Sequence, residues 1–556
     1  MKINRIERSY KNLKRYREIA KVLTKYGFSF LTEKVDKSFP FNRYFFKASK
    51  ELYKNYSRAE RIRLAFEELG PTFIKLGQIL STRYDILPKD IVEELSQLQD
   101  RVKEFDYEIA KEIIENELET EIENIFEHFN KIPIASASIG QVYKANLKNG
   151  DKVVVKIQRP NIQKIINTDI DILYFIAHML DEHFSKRSPV KAVEIVKEFS
   201  YFIKKELDYT YEAQNCDSFR ENFKNDNRVY IPKIYWEYTT KRVLVMEEIK
   251  GVKVSNIKEI EKLGWDKEKI ARLGAKIFME QVFIHGLFHG DPHPGNVLVI
   301  NENKVGFIDF GIVGYIDKKT LDLIISLLRA GINRDIERII YKLSRMEVIT
   351  DKTDKMGLEK DLYYLVNYYY NVPLKKLSLG NAFNELLQIA YKHKLKMPSQ
   401  LALLLKTIII VEGTGKKLNP KFNLTNISNE VLKNMQLNRL KPKNLLKGIT
   451  NISTSYYDDI KFIPKQIISI LSKLEKDKIK LYVQLKGLKD LEDEINNMTN
   501  RISLSLLVSS IIIGSSLVIQ ANIGPKLLGM SAFGLIGYAT SGVLGLFLII
   551  SILLKK

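Results

Sequence analysis

Cysteine is nearly missing: the 556-residue chain has one, Cys216. One thiol cannot staple a fold or build a cysteine metal site, which excludes a disulfide-rich secreted domain. Carboxylates are outnumbered, 67 Asp and Glu against 88 Lys and Arg, for a formal net charge of +21. That balance fits an anionic partner, whether nucleic acid, nucleotide phosphates or an acidic membrane surface; it also fits lysine-rich solvated helix faces. Hydrophobic residues make up 45% and charged residues 28%, so wholesale disorder is excluded and a real core is expected. The length exceeds one ordinary domain and predicts two or three units.

The N-terminus has no apolar signal-peptide core. Residues 1–25 carry nine basic side chains, Lys2, Arg5, Arg8, Lys11, Lys14, Arg15, Arg17, Lys21 and Lys25, while Ile3, Ile6, Tyr10, Leu13 and Tyr16 recur at helical spacing. This predicts a basic amphipathic helix that either lies on an anionic membrane or packs on its own domain. Near the other end, charge disappears. Ile502–Gln520 and Ser531–Leu554 contain none, and each is close to the ~20 residues of a transmembrane helix. Ala521 to Lys526, with Gly524-Pro525, forms a turn between them, so a hairpin that crosses a bilayer and returns is expected. Lysine-rich outer flanks place the body on the cytoplasmic side of an inner membrane. Gly514, Gly529, Gly534, Gly537, Gly542 and Gly545 suit close helix packing in lipid. A hydrophobic hairpin in a soluble core is the alternative.

Between these ends the periodicity changes several times. Residues 1–125 read as helical, and 126–160 hold two β-prone runs around Asn149-Gly150, a hairpin signal. Helix resumes over about 162–222, Val229 to Met246 is β-like, 266–284 is helical, 285–315 is loop–strand–loop, and 316–415 is helical. From Phe462 an apolar column recurs every seven residues, at Ile467, Leu474, Leu481, Leu488, Ile495 and Ile502. Its companion column is broken by Lys478 and Glu492, so one long helix with a single stripe is expected.

Three segments carry phosphotransfer chemistry. Lys156 ends the run Val153-Val154-Val155, and a lysine in a buried strand needs anions; alone it could also snorkel from an edge strand. In His289-Gly290-Asp291-Pro292-His293-Pro294-Gly295-Asn296, an Asp is followed five residues later by an Asn, the spacing of a kinase catalytic loop. A metal site from His285, His289 and His293 would require a helix that Pro292 and Pro294 break. Asp309-Phe310-Gly311 follows Asp291 by 18 residues, as the metal-binding element of kinases does.

With these motifs in that order, the sequence resembles the UbiB family of atypical kinase-like proteins, also called ADCK. Further marks are Lys75-Leu76-Gly77-Gln78, a Lys-x-Gly-Gln signature; Ala135-Ser136-Ala137-Ser138-Ile139-Gly140-Gln141-Val142, an alanine-rich nucleotide loop; and Glu206-Leu207-Asp208-Tyr209 followed by Glu212-Ala213 and Asn215. There is no Gly-x-Gly-x-x-Gly loop, and no Ala-Pro-Glu follows Gly311, which argues against general protein phosphorylation.

The resemblance implies an α+β, bilobal protein-kinase-like fold with a helical N-terminal extension and a C-terminal transmembrane helical hairpin. The expected boundaries are 1–125 for the extension, 126–248 and 249–420 for the two lobes, 421–501 for a basic linker and long helix, and 502–556 for the hairpin. By the same resemblance, Lys75 and Gln78 lie on a helix that covers the active site. Glu206 pairs with Lys156, with Glu212 as the alternative, and Glu247 and Glu248 form the adenine hinge. Asp291 is catalytic, while Asn296 and Asp309 hold Mg²⁺ with ATP or ADP. The expected partners are membrane lipids, isoprenoid quinone precursors, quinone-biosynthesis enzymes or a second copy of the chain; nucleic acid is not expected. The implied function is a membrane-anchored kinase-like ATPase supporting quinone biosynthesis, with a true kinase or a nucleotide-binding scaffold as alternatives.

Overall fold

The hairpin expected around Asn149-Gly150 lies at the centre of a five-stranded antiparallel sheet. Its strands are β1 (Phe126–Phe129), β2 (Ala135–Ser136), β3 (Gly140–Leu147), β4 (Lys152–Gln158) and, later in the chain, β6 (Val243–Glu247), in the order β1-β3-β4-β6 with β2 also paired to β3. Leu147 N donates to Asp151 O at 2.9 Å, and Gly150 takes φ +86°, a conformation in which a side chain is strained. The structure, a computed structural model, describes residues 2–28, 56–84, 86–98, 103–184, 190–350, 353–370, 372, 378–439, 488–521, 524–527 and 530–553.

Period-two alternation sorts the lysine strand into two faces. Val153, Val155 and Ile157 are buried against Ile113, Ile114, Tyr143, Val243 and Val245. Val154 packs into a different core, so it and Lys156 occupy the opposite face. The valine run is thus a strand with a core on each side, and its lysine points toward the second.

The N-terminal part is helical where described: α1 (Lys2–Lys25), α2 (Arg58–Leu69), α3 (Pro71–Leu80), α4 (Lys89–Leu95), α5 (Tyr107–Leu118) and α6 (Ile122–Ile125). A capping box starts α2: Ser57 Oγ accepts from Glu60 N at 3.1 Å, and the Glu60 carboxylate accepts from Ser57 N at 2.6 Å. Gly70 at φ +92° separates α2 from α3, and Pro71 opens α3. Of the two settings expected for α1, the helix packs on its own domain. Ile19 and Leu23 are buried, and Arg15 grips buried Asp169 through Nε–Oδ1 at 2.7 Å and Nη2–Oδ2 at 3.0 Å. That forked pairing satisfies a carboxylate that burial would otherwise penalise.

Three helices follow the lysine strand: α7 (Ile162–Phe184), α8 (Ala192–Glu206) and α9 (Tyr209–Asn222). Asp208 caps α9 by accepting from Thr210 N at 3.1 Å, which breaks the chain between α8 and α9. A second sheet has the order β5-β10-β9-β7, from β5 (Val229–Tyr230), β7 (Val252–Lys253), β9 (Val297–Asn301) and β10 (Lys304–Phe307); β8 (Leu287–His289) pairs with β11 (Val313–Tyr315). The stretch from Val229 to Met246, expected to be strand throughout, is strand only at its ends. Trp236–Tyr238 form a 3₁₀ turn between them.

Helices α10 (Ile257–Lys262) and α11 (Lys267–Glu280) precede the catalytic loop. Beyond β11 come α12 (Lys318–Ile332), α13 (Ile336–Arg345), α14 (Lys355–Tyr370), α15 (Leu379–Lys392), α16 (Ser399–Leu418) and α17 (Leu424–Arg439). Phe278, Phe288, Val299, Leu404 and Ile408 form the core that seats α16 against α11 and the loop strands.

Contacts divide the chain into two units, Met1–Leu445 and Leu446–Lys556. In the second, α18 (Leu488–Gln520) and α19 (Ala532–Leu553) form a helical pair. Met498–Gln520 and Ala532–Ile549 are long and apolar enough to cross a membrane. Of the glycines expected at their contact, two carry it: a Cβ on Gly534 would lie 2.3 Å from Ile519, and one on Gly537 2.0 Å from Ser515 Oγ. Gly514, Gly542 and Gly545 face open space. The first three positions of the seven-residue column, Ile467, Leu474 and Leu481, lie outside the described residues, as does the membrane-turn segment at Asn522-Ile523.

Candidate active site

Three separate elements meet around Lys156, strand β4, helix α9 and the Asp-Phe-Gly segment, and the Asp291 loop is tied to the last of these through Ile308. The Lys156 ammonium lies 2.8 and 3.0 Å from the two carboxylate oxygens of Glu212, 3.9 Å from Asp309 Oδ1 and 5.2 Å from the centre of the Tyr209 ring. Burial penalises the ammonium, but the Asp309 and Glu212 carboxylates outweigh this and hold the lysine well above its ordinary range. Asp309 is depressed, first by Lys156 and then, against its own desolvation, by Lys75 and His289.

Glu206, expected to be the partner of Lys156, is not. It is the last residue of α8, and its carboxylate is 2.5 Å from Lys75 Nζ. The Asp208 cap restarts the helix, and Glu212, in the first turn of α9, is the buried carboxylate facing β4. Two lysine–glutamate pairs therefore flank the cleft.

Lys75 is buried on α3, and its charge reaches Asp309. Gln78 is half-buried one turn on, and its backbone carbonyl accepts from the Ser81 hydroxyl at 2.6 Å. The glycine of the signature has a packing reason. A Cβ on Gly77 would lie 2.2 Å from Leu98 and 2.9 Å from Phe66, so only glycine lets α3 settle against its neighbours.

The alanine-rich loop is a tight turn between β2 and β3, with Ala137 N donating to Gly140 O at 2.8 Å. Arg159 braces it, donating to Ala137 O at 3.0 Å and Ser136 Oγ at 2.8 Å. A Cβ on Gly140 would stand 2.4 Å from the Tyr209 hydroxyl, so the loop's end presses on α9. Ser138, Ile139, Gly140 and Gln141 are buried, while Ala135 is exposed and Val142 half-buried. The Ser138 and Tyr209 hydroxyls, both buried, have no hydrogen-bond partner among the described residues.

Glu247 turns away from the cleft: its carboxylate accepts from the Tyr230 hydroxyl and from Lys233 N at 3.1 Å. Glu248 pairs with Lys144 at 2.5 Å. Since β6 belongs to the first sheet and β7 to the second, residues 248–251 cross between them.

The Asp291 loop is held by His289, which is fully buried. Its Nδ1 accepts from Asp291 N at 3.2 Å, which leaves Nε2 to donate to Ile308 O at 3.2 Å. Burial depresses this imidazole and keeps it neutral. Asn296 donates from Nδ2 to Asp291 O at 3.1 Å, so its amide oxygen is the atom left for a ligand. Asn296 O also accepts from Ile308 N at 3.0 Å. Asp309 takes φ +65°, an uncommon conformation costing roughly 1 kcal/mol or more, of the kind that concentrates at functional sites. Phe310 is buried 5.1 Å from the Phe219 ring, and its carbonyl accepts from Asn215 Nδ2 at 2.9 Å. His285, His289 and His293 do not converge, and no group of three His, Cys, Asp or Glu among the described residues could hold a metal. Two hard oxygen donors, from Asp309 and Asn296, suit Mg²⁺ shared with phosphates rather than a protein cage.

One residue escaped the sequence reading. Lys406 on α16 donates to Ser81 Oγ at 3.1 Å, and the Asp291 charge acts on it. It sits alone in Leu401-Ala402-Leu403-Leu404-Leu405-Lys406-Thr407-Ile408-Ile409-Ile410, the same anomaly that marked Lys156, here at helical rather than strand period.

A lysine–glutamate pair, an Asp-x-x-x-x-Asn loop and an Asp-Phe-Gly segment in one cleft between two sheets define an atypical kinase-like protein. Residues 97–343 match the ABC1 atypical kinase-like domain, 362–423 the UbiB helical domain and 486–554 the ABC1/UbiB kinase-like C-terminal domain. The chain belongs to the UbiB family. It is 38% identical over 415 residues to a probable protein kinase UbiB of Marinobacter nauticus, covering 74% of this chain and 76% of that one. It is 33% identical over 548 residues to an uncharacterized protein in the hydrogenase 1 5' region of Clostridium pasteurianum, covering 97% and 98%. A solved structure of Rv3197 with erythromycin, from Mycobacterium tuberculosis, aligns with a TM-score of 0.46 at 22% identity, covering 72% of this chain and 98% of that one.

Proposed function

We propose that this chain is a membrane-anchored, kinase-like ATPase. It binds Mg²⁺–ATP in the cleft and hydrolyses it, or passes the phosphoryl group to an uncommon acceptor. Its work supports the synthesis of isoprenoid quinones or the handling of their lipid precursors. The observation that carries the reading is the Lys156 ammonium held between Glu212 at 2.8 Å and Asp309 at 3.9 Å. Glu212 orients the lysine toward nucleotide phosphates, while Asp309 and the Asn296 oxygen hold the metal. Asp291 faces the acceptor, water or a hydroxyl, and receives its proton. Bound Mg²⁺ supplies neutralisation of the charge that develops on the phosphates.

The short connection after Gly311 favours ATP hydrolysis or an uncommon acceptor over peptide phosphorylation. Strand β11 begins at Val313 and α12 at Lys318, which leaves little chain to dock a peptide. Burial of Lys75, paired with Glu206 and with its charge acting on Asp309, supports a covered site. The quinone role rests on family membership, and the anchor on the two apolar helices, with the body on the cytoplasmic side of an inner membrane. Quinone precursors, quinone-biosynthesis enzymes and a second copy of the chain are the partners this role suggests.

The test is phosphate release from Mg²⁺–ATP by full-length protein in detergent, with Asp309→Asn as the comparison. The variant should lose hydrolysis by about a hundredfold or more while keeping its circular dichroism. Undiminished turnover in folded Asp309→Asn protein would sink the reading. Fractionation of the full-length chain as soluble protein would remove the anchor.

A further inference from the structure

Three lysines approach the cleft, and two are held by carboxylates: Lys156 by Glu212 at 2.8 Å and Lys75 by Glu206 at 2.5 Å. The third, Lys406, has no carboxylate in ion-pair range among the described residues; its hydrogen bond is to the Ser81 hydroxyl at 3.1 Å. That hydroxyl already donates to Gln78 O at 2.6 Å, so it meets the ammonium as a neutral acceptor. Lys406 stands beside the catalytic loop for a definite reason. Its neighbour Thr407 donates to Leu403 O at 2.6 Å and reaches Gly290 O at 3.4 Å, while Leu403 lies 3.1 Å from where a Gly290 Cβ would be. Helix α16 is thus seated on the residue before Asp291. The loop from Pro292 to Asn296 contributes Pro, His, Pro, Gly and Asn, and no lysine or arginine.

We propose that Lys406 is a ligand of the terminal phosphate of the bound nucleotide, the cation that the catalytic loop itself lacks. This rests on the cleft being a nucleotide site. An ammonium whose partner is a neutral hydroxyl gains most from an incoming anion, because burial leaves it short of solvation. Desolvation lowers this lysine's proton affinity and the Asp291 charge opposes that, which fits a cation awaiting a counter-ion. Lys156, already committed to Glu212, positions the inner phosphates. Lys406, on the Asp291 side, meets the group that is transferred.

The expected signature is discrimination between diphosphate and triphosphate. Calorimetry on the full-length protein in detergent, with Mg²⁺, would measure binding of ADP and of the β,γ-imido analogue of ATP. Lys406→Met should weaken the analogue by about tenfold or more and leave ADP within about twofold. Lys406→Arg, which keeps the charge, should recover most of the loss and guards against misfolding. Equal weakening of both nucleotides, or of neither, overturns the assignment. So does an identical loss in Ser81→Ala, since Lys406 would then act by fastening α3. Wild-type protein that binds neither nucleotide overturns the nucleotide site itself, a different result from a wild type that binds both and a Lys406→Met that fails to discriminate.

Discussion

Two lysine–glutamate pairs, carried by consecutive helices, sit either side of one cleft. In the first, Lys156 projects from a strand paired on both sides, and Glu212 is 6% exposed. In the second, Lys75 comes from a helix of the N-terminal extension, and Glu206 is 18% exposed at the C-terminal end of α8. One pair ties the sheet to α9; the other joins the extension to α8. A pair between a strand lysine and a helix glutamate fixes a charge on the face of the sheet, whereas a pair between two helices fixes how the helices lie. The difference between pairs that look alike on paper is therefore one of backbone, not of chemistry.

The largest effect that separates them is on turnover. Lys156→Ala should lose phosphate release and labelling of the protein by ³²P-ATP alike, by about a hundredfold. Lys75→Ala should keep at least one channel, with self-labelling the channel expected to rise. Parallel loss of both channels in both variants would erase the distinction. Stability should separate them next. Glu212→Ala strands a buried ammonium and is expected to cost about 3 kcal/mol, against about 1.5 kcal/mol for Glu206→Ala, where water reaches the gap. Urea midpoints that reverse this order would show the extension pair to be the structural one. A third change acts on the second pair alone. Gly77→Ala forces a Cβ against Leu98 at 2.2 Å and should cost about 1–3 kcal/mol while leaving ADP affinity untouched. An equal drop in ADP affinity would mean that α3 helps shape the nucleotide pocket.

The smallest effect is of pH. Lys156 is held well above its ordinary range and Asp309 below its own, so neither group should titrate between pH 5 and 8. Half-buried His285, tilted 54° against Phe223 with ring centres 4.8 Å apart, is depressed by burial, with Asp226 opposing. As pH falls below about 6.5, the unfolded chain takes up a proton that the folded imidazole resists, so stability falls. The loss should stay below about 1.4 kcal/mol per pH unit and shrink in His285→Phe, which keeps the ring contact. A slope unchanged by that substitution assigns the titration elsewhere.

Much of the site was legible because its signals were local. Lys156, Asp291, Asn296 and Asp309 could be picked out because strand period, proline-fixed loop and tripeptide each show in a short window, and the structure sets Lys156 3.9 Å from Asp309 and bonds Asn296 to Asp291 O. The choice between Glu206 and Glu212 was not local. It depends on Asp208 ending one helix and capping the next, which turns two carboxylates six residues apart to different lysines. Lys406 was overlooked for another reason. It lies 115 residues past Asp291, in a helix whose apolar run reads as ordinary core, and only α16 packing on Gly290 brings it to the loop. The β-hairpin and the helices up to α16 followed from periodicity, α17 forms where a basic linker was expected, and the 3₁₀ turn at Trp236–Tyr238 interrupts a run that propensity read as one strand.

The peptide groups around Ile308 have a mechanical consequence. Ile308 N donates to Asn296 O at 3.0 Å, and Ile308 O accepts from His289 at 3.2 Å. The residue before Asp309 is thereby riveted at both ends to the loop that carries Asp291 and Asn296. The backbone segments that carry the three side chains are thus tied into one unit. A hinge is expected instead at residues 248–251, where the chain changes sheet, and at the contact of Lys75 with Glu206. A jaw with one rigid side can change its gape without changing the spacing of its teeth.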